Sequence, residues 1–504
     1  MKFRFVKYLS VVLLAAFALV GCEKGSTDES NGGSDITLRV SVSPESVTVD
    51  YKEQFALVTV TTNADEWDFI NAISWVEASR GGDNDVDLVI SENKTSATRE
   101  GQIIIYAMSG TKRVEKKVTI KQYAENSKEE DEADGFECSV FEDLMLSNFD
   151  SNGDGVISEA EAARVTEIDV AYTDTEAEER SVVTSLKGIK IFKNLQYLYC
   201  EENMIETLDL SGMEKLEYVD CYYNEMTSLD LSNCPSLKQV YCYSNKISDI
   251  NIAGSKNIIL FQAYNNKLTS INVSGLQELI YFDVRMNELR EVNFSNCPKL
   301  QVAAVGGNQL ISLNLNGLPS LYTLGCYENN IATLDVSGLA KLEMLECYTN
   351  NIATLDLSAN TKLSTLTCQR NMLTSLNIAS CTSLTKLDCS SNFLAGEVDF
   401  NAFANLKKLN CGGNQYTAIG VNGCLQMEEL SCDNTQIREL EVSALASLTS
   451  LIANDCAIST MDCSNNLRLK TLYLQGNPLT ELVLAQGQSV GDLKVDNFDV
   501  ISYK

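Results

Sequence analysis

The 504-residue chain contains no histidine, which removes the usual general base, proton shuttle and nucleophile activator of neutral-pH catalysis. Basic residues are also scarce. Lys and Arg number 39 against 69 Asp and Glu, a formal charge of −30. A surface of that sign repels phosphate backbones and argues against nucleic acid as a partner. No Gly-rich phosphate loop and no G-x-S-x-G elbow occurs. Carboxylates suffice for a paired-acid glycosidase on composition alone, but the regular frame described below offers them no deep pocket. These absences point away from an enzyme. The apolar run Leu9–Val20 is too short to span a bilayer. Tryptophan is confined to Trp67 and Trp75.

What the chain has in abundance is repetition. From Leu195 to Ser489 the unit L-x-x-L-x-C-x-x-N-x-L-x-x-L-x-L-S returns every 21 residues, 14 times, with one single-residue slip in the copy starting at Leu384. So short a unit cannot bury its apolar face alone, and copies must stack into a solenoid. In L-x-x-L-x-C the second Leu and the Cys are two apart and share the inward face of a strand. A second extended piece, L-x-x-L-x-L-S, returns the chain and leaves no room for a helix. One strand spacing per coil, ~4.8 Å, predicts a rod on the order of 65 Å. Asn holds the ninth position in 12 of 14 copies, from Asn203, Asn224 and Asn245 onward, with Thr435 and Cys456 the exceptions. Turned inward, it reads as a ladder bonding the loop backbones of adjacent coils. An Asp/Asn row at position fifteen, from Asp209 and Asp230 to Asp356 and Asn377, reads as a second structural ladder rather than a metal stripe.

The 17 cysteines follow the same period: nine stand at position six (Cys200, Cys221, Cys242, Cys326, Cys347, Cys368, Cys389, Cys411, Cys432) and four at position nineteen (Cys234, Cys297, Cys381, Cys424). Ala, Val or Leu replaces cysteine at position six elsewhere, so the thiol acts as a small hydrophobe. Parallel side chains suit a disulfide poorly, and a reduced ladder is expected. The pattern resembles the 21-residue bacterial leucine-rich repeat of the internalin J type, with cysteine in the third leucine position, over about three fifths of the chain. That resemblance implies adhesion to a protein or glycoprotein.

The front of the chain has a different character. Lys2, Arg4 and Lys7 precede the apolar run, which ends in Leu19-Val20-Gly21-Cys22. This resembles a bacterial lipobox and implies a signal peptide over 1–21, lipidation of Cys22, and a chain held at the outer membrane by lipid alone. Glu23, Asp28 and Glu29 resemble an export tag, which implies the cell surface; a periplasm-facing anchor is the alternative. Residues 22–35 read as a flexible tether, and 125–135 as an acidic linker. Between them, over 36–124, six short alternating runs predict a small antiparallel Ig-like sandwich: Thr37–Ser43, Phe55–Thr62, Ile73–Ala78, Val86–Ser91, Gly101–Ala107 and Val114–Gln122. Trp67, Ile73-Ser74-Trp75-Val76, Asn93 before Arg99-Glu100-Gly101, and the closing Val118-Thr119-Ile120-Lys121-Gln122 resemble a BACON domain. Its tryptophans read either as core anchors or as platforms for sugar.

Residues 136–194 hold the constellation with inorganic chemistry. Asp150-Ser151-Asn152-Gly153-Asp154-Gly155-Val156-Ile157-Ser158-Glu159-Ala160-Glu161 matches the EF-hand loop at each required position. Asp150, Asn152 and Asp154 would offer side-chain oxygens and Val156 its carbonyl. Ser158 would act directly or through water, and Glu161 would bind with both oxygens. Hard oxygen donors favour calcium over a transition metal. Helical patterns flank the loop, with Phe141, Leu144, Met145 and Phe149 before it and Ala162, Val165 and Ile168 after. Val165–Val170 and Val183–Leu186 echo the second half of the repeat, so this segment is expected to cap the solenoid's open end, with residues 490–504 capping the other.

Positions three, five and seven of each copy flank the buried Leu and Cys and should face outward on the concave side. In the first eight copies they collect Tyr197, Tyr199, Tyr218, Tyr222, Tyr241, Tyr243, Tyr264, Tyr281, Tyr327 and Tyr348, interspersed with Asp220, Gln262, Asp283, Arg285 and Glu346. Two readings stand: a recognition surface, for which tyrosine gives large area at low entropic cost, or cross-strand filler. The expectation is a mainly β protein of sandwich, helical calcium cap and solenoid, binding a protein or glycoprotein through this face. Glycan capture for a polysaccharide-uptake system is the alternative, and a spacer or scaffold the third.

Overall fold

Runs in which every second residue is apolar bury one face of a strand and leave the other wet. In a computed structural model, residues 38–122 (apart from 45, 50–53, 83 and 96), 136–172 and 182–504 are described. The expected signal peptide, Cys22, the tether and the acidic linker lie outside the described residues. Over the first segment eight strands form: β1 (Val40–Ser43), β2 (Ser46–Val49), β3 (Gln54–Thr62), β4 (Glu66–Asn71), β5 (Val76–Arg80), β6 (Asp85–Ile90), β7 (Arg99–Ser109) and β8 (Lys112–Gln122). They make two four-stranded sheets, β1-β3-β6-β5 and β2-β8-β7-β4, closed over Val58, Val60, Leu88, Ile90, Ile103, Ile105 and Ile120. The sandwich is as expected, but β2 and β4 were not among the six predicted runs. Nor is it wholly antiparallel. β2 pairs with β8 in parallel, because the chain crosses from one sheet to the other between β1 and β2 instead of turning back on itself.

The repeats wind into a solenoid whose first strands, three residues each, form one parallel sheet of 16 strands. Fourteen come from the copies. One more comes from Glu167–Asp169, which pairs in register with Tyr197–Tyr199, and the last from Asp492–Lys494. Val165-x-x-Ile168-x-Val170 is thus the first half of a zeroth coil, not an echo of the second half as expected. Val183 supplies the return half, donating to Asn203 as repeat residues donate to the next asparagine. The same pairing shortens the second predicted helix. Ser139–Phe149 is helical as expected, but after the loop only the turn Glu159–Ala162 forms, since Ile168 is claimed by the sheet. At the other end, Asp492–Lys494 and Ile501–Tyr503 add a partial fifteenth coil.

The ladders are as the period implied. The Asn224 amide donates to Cys200 O at 2.9 Å in the preceding coil and Cys221 O at 3.1 Å in its own, while its oxygen accepts Ile205 N–H at 3.0 Å. Position eight, just before the asparagine, is left-handed in all fourteen copies, from Glu202 and Tyr223 to Asp455 and Gly476. The asparagine bonds hold that turn. Position fifteen behaves differently from expectation: most of its residues cap their own coil, as Asp209 does by accepting Ser211 N–H at 2.9 Å, and only some bridge coils. The Asn377 amide donates to Asp356 in this bridging way, at 2.9 Å.

All sixteen described cysteines are free thiols. Burial pushes the position-six thiols up, to about 12 at Cys326 and Cys389, so they are poor nucleophiles. Cys456, which replaces the ladder asparagine in copy thirteen, is half-buried, and a hydrogen bond with Cys432 brings it down to about 7. Brief treatment of the native protein with iodoacetamide at pH 7.5 should therefore mark Cys456 before any position-six cysteine, with denaturant needed for the rest. Peptide mapping that finds Cys326 or Cys389 alkylated in the native chain contradicts the ladder.

Candidate functional site

Parallel strands in register set equal positions of adjacent coils one strand spacing apart, and flat side chains there must stack. At position seven they do. Tyr222 and Tyr243 have ring centroids 4.5 Å apart at 6° between planes, Tyr243 and Tyr264 4.4 Å at 7°, and Tyr327 and Tyr348 4.6 Å at 4°. Between the two stacks stand Arg285 and Gly306. The Arg285 guanidinium lies over the Tyr264 ring, 5.6 Å from its centroid, and Tyr327 on its other side helps to hold its charge. Tyr327 in turn leans across Gly306: a Cβ there would stand 2.7 Å from the ring. Position seven thus forms one continuous column over copies two to eight.

A second row lies beside it. Tyr199, Tyr218 and Tyr241 meet as tilted neighbours, with centroids 5.1 and 5.4 Å apart. Tyr197 and Tyr281 share this side of the sheet but stack on no other ring among the described residues. All ten predicted tyrosines are half-buried. One further member was not predicted. Tyr223, 57% exposed, sets its edge against Tyr222 and Tyr243. It stands at the left-handed position eight, whose signal in the sequence is that six of its fourteen residues are Gly, Asn or Asp.

Two carboxylates sit within the face. Asp283, with a side chain 1% exposed, is gripped by Arg285 through Nε at 2.9 Å and Nη2 at 2.7 Å. Asp220, 8% exposed, accepts from the Tyr218 hydroxyl at 3.2 Å through one oxygen. Burial, and next the charge of Glu201, push the Asp220 carboxyl up to about 8.

The loop 150–161 is built from its own hydrogen bonds. Asp150 accepts Gly153 and Gly155 N–H at 2.7 and 2.9 Å, Asn152 accepts Asp154 N–H at 2.8 Å, and Asp154 accepts Val156 N–H at 3.0 Å. Ser158 and Glu161 form a reciprocal capping box on the following turn. Glu161 takes four donors, the amide and hydroxyl of both Ser151 and Ser158, at 2.7 to 2.9 Å. Led by the Ser158 hydroxyl, these draw it down to about 2. The donor set is all oxygen. No cluster of three or more metal-ligating His, Cys, Asp or Glu side chains has closed among the described residues.

Known proteins share both halves of this chain. The family model for Leucine Rich repeats (2 copies) matches residues 214–254, and the BACON model, a putative binding domain, N-terminal, matches 65–123. No curated protein matches. Among solved structures, the functional domain of InlJ from Listeria monocytogenes, described as including a cysteine ladder, is 28% identical with a TM-score of 0.58. The match covers 69% of this chain and 70% of that one. YopM, a leucine-rich effector of Yersinia pestis, shares the fold at 22% identity and a TM-score of 0.56, covering 71% and 98%.

The chain joins a BACON domain to a leucine-rich-repeat solenoid.

Within the BACON domain both tryptophans are covered rather than offered. Trp67 is buried with the Arg80 guanidinium 4.1 Å from its ring centroid, and Arg99 lies 4.4 Å from that of Trp75. The core-anchor reading fits this arrangement. In the solenoid, Asp220 leads to a pH-dependent expectation. Its folded pKa lies above the ordinary carboxylate value of ~4, so between pH 5 and 7 the folded state holds a proton that the unfolded chain has released. Stability from this group then falls with rising pH, by about 1.4 kcal/mol per unit. Asp220→Asn removes that slope. Urea unfolding should show the variant gaining on the wild type by about 2–3 kcal/mol from pH 5 to pH 7. A difference that stays constant contradicts the shift.

Proposed function

We propose that this protein is a lipid-anchored binding protein of the outer membrane, displayed at the cell surface, that holds a protein or glycoprotein ligand on the concave tyrosine face of its repeats. The observation that carries the reading is the column Tyr222, Tyr243, Tyr264, Arg285, Tyr327 and Tyr348, with Gly306 left bare to admit Tyr327. Stacking by itself follows from strand register. An arginine and a glycine that keep the column continuous, and its end after copy eight, do not. Tyrosine and arginine are enriched in the cores and hot spots of protein interfaces. Rings packed face to face present edges and hydroxyls, whereas a sugar ring stacks on an open aromatic face. That favours protein recognition over glycan capture. Probing arrayed bacterial and host surface proteins alongside arrayed glycans with the purified chain tests the reading: hits confined to glycans would overturn it.

Calcium belongs to the same proposal, as a clamp on the N-terminal cap. Asp150, Asn152, Asp154, the Val156 carbonyl, Ser158 and Glu161 would hold the ion in an EF-hand loop, and it would tie helix Ser139–Phe149 to the zeroth coil. The loop's all-oxygen donor set supports this. Since binding the folded state alone stabilises by about 2.7 kcal/mol at 100-fold excess over Kd, EDTA should lower the melting temperature by about 5 °C, and calcium should restore it. Identical melts with and without chelator would count against the clamp.

A further inference from the structure

Thr59 is buried where its strand should be wet. Val58 and Val60 point into the sandwich core, so Thr59 between them faces outward from the sheet β1-β3-β6-β5. It is nonetheless 4% exposed, while Phe55, on the same outer face, is 71% exposed. Its cover is a residue of the solenoid, 213 positions further along the chain. Asn272, at position fifteen of copy four, donates its amide to the Thr59 hydroxyl, which itself donates to Asp85 Oδ1 at 2.9 Å. Burial pushes the Asp85 carboxyl up, and the charge of Lys256 in copy three acts against that rise.

The return side of the coils carries a matching imprint. Position fifteen is exposed at Asp209 in copy one, half-buried at Asp230, Asn251, Asn272 and Asn293 in copies two to five, and exposed again from Asn314 to Asn377. Position seventeen changes at the same coil, from Ser295, partly covered, to Asn316, exposed. Four coils at ~4.8 Å each make a seat about 19 Å wide, the breadth of a four-stranded sheet. The residues of the seat also suit an acidic guest such as Asp85. Position fifteen is neutral from Asn251 to Asn314, with aspartate returning at Asp335 and Asp356. Where an aspartate stands one coil back, the amide turns to it, as Asn251 does to Asp230 at 3.3 Å. Asn272 has Asn251 behind it and turns its amide out to Thr59 instead.

We propose that the BACON sandwich is seated on its own solenoid, the outer face of β1-β3-β6-β5 against the return side of copies two to five, as a brace behind the tyrosine column. The seat spans the four coils that carry Tyr222, Tyr243, Tyr264 and Arg285 on their opposite side. Polar contacts of this kind are ordinary between domains of one chain. The 13 residues 123–135 that join the two units set an effective concentration on the order of millimolar, so a contact weak by itself is held. This sheet face is thereby occupied within the chain and is not the sandwich's surface for an outside ligand. The inference does not depend on what the concave face binds.

Iodoacetamide labelling of the native full-length chain, read by peptide mapping, tests the seat with two introduced thiols: Thr59→Cys beneath it and Phe55→Cys beside it. The first should label about tenfold more slowly than the second, or slower still. Adding Asn272→Asp, the residue that copies seven and eight already carry at this position, should speed labelling in Thr59→Cys about fivefold or more. Asn314→Asp, the same change at an exposed position fifteen, should alter it less than about twofold. A new carboxylate beside a thiol lowers its thiolate fraction, so acceleration can come only from exposure. Equal rates at the two thiols would overturn the seat, as would a slow thiol that stays slow when Asn272→Asp is added. Fluorescence of Trp67 and Trp75, both within the sandwich, verifies that it is folded in each variant. Should Thr59→Cys fail to fold, small-angle scattering of Asn272→Asp and Asn314→Asp decides: the first should have the larger radius of gyration, and equal radii would overturn the proposal.

Discussion

Asn329→Ala lowers the stability of the solenoid by about 3 kcal/mol, a large share of what a folded domain has to spare. The asparagine is buried mid-ladder, and its amide donates to Val305 O at 3.0 Å, Cys326 O at 3.1 Å and Tyr327 O at 3.0 Å. Those carbonyls keep second donors: Asn308 and Asn350 bond Val305 and Cys326, and Gly307 N–H bonds Tyr327. The damage concentrates on one group. Leu310 N–H, buried in the previous coil, donates to Asn329 Oδ1 at 2.9 Å and loses its acceptor. An orphaned buried amide costs roughly 1–3 kcal/mol, to which the lost bonds add about 1 each at most. Asn329→Thr should lose less, because Thr435 fills this position naturally and bonds Cys432 O at 2.9 Å. Urea unfolding followed by circular dichroism measures both, and a loss under about 0.5 kcal/mol for the alanine variant contradicts the ladder.

Arg285→Ala should also destabilise strongly, by about 2–3 kcal/mol, and for a different reason. Asp283 is fully buried, and removing its bidentate partner leaves an uncompensated charge in the sheet face. Arg285 is itself partly exposed, so solvent screening holds the effect near the lower end of the range for buried pairs. Adding Asp283→Asn should recover most of the loss. The double variant also opens the tyrosine column between Tyr264 and Tyr327, so it should fold yet bind ligand more weakly. A double variant no more stable than Arg285→Ala alone would show that the arginine acts by packing.

The repeat was legible because period 21 and strand register are both local properties: a residue's inward or outward sense follows from its place in the unit. Hence the cysteines, the asparagines and the outward sense of all ten tyrosines could be read from the chain. What was not legible depends on neighbours distant in sequence. Val165–Val170 joins the main sheet because Tyr197–Tyr199 is there to pair with it, although its apolar spacing also suits a helix. β2 lies at an edge of the second sheet and β4 at the other, too short and too polar in part to stand out from turns. The column's continuity was hidden because its connecting members, Arg285 and Gly306, are not tyrosines. Asp220 and Asp283 occupy the same position of the repeat, and only the side chain two residues later gives one of them a bidentate arginine.

The central claim, that the column over copies two to eight is where ligand sits, is tested most directly by comparing two triple variants. One replaces Tyr222, Tyr243 and Tyr264 with alanine. The other replaces Ser390, Asn454 and Gln475, which hold the same position seven in later copies. Binding of each to the surface-protein hits of the wild type, measured by biolayer interferometry, should fall at least a hundredfold in the tyrosine variant and less than threefold in the other. Equal binding by both variants, with melting curves showing both folded, would contradict the account and leave the tyrosines as cross-strand packing.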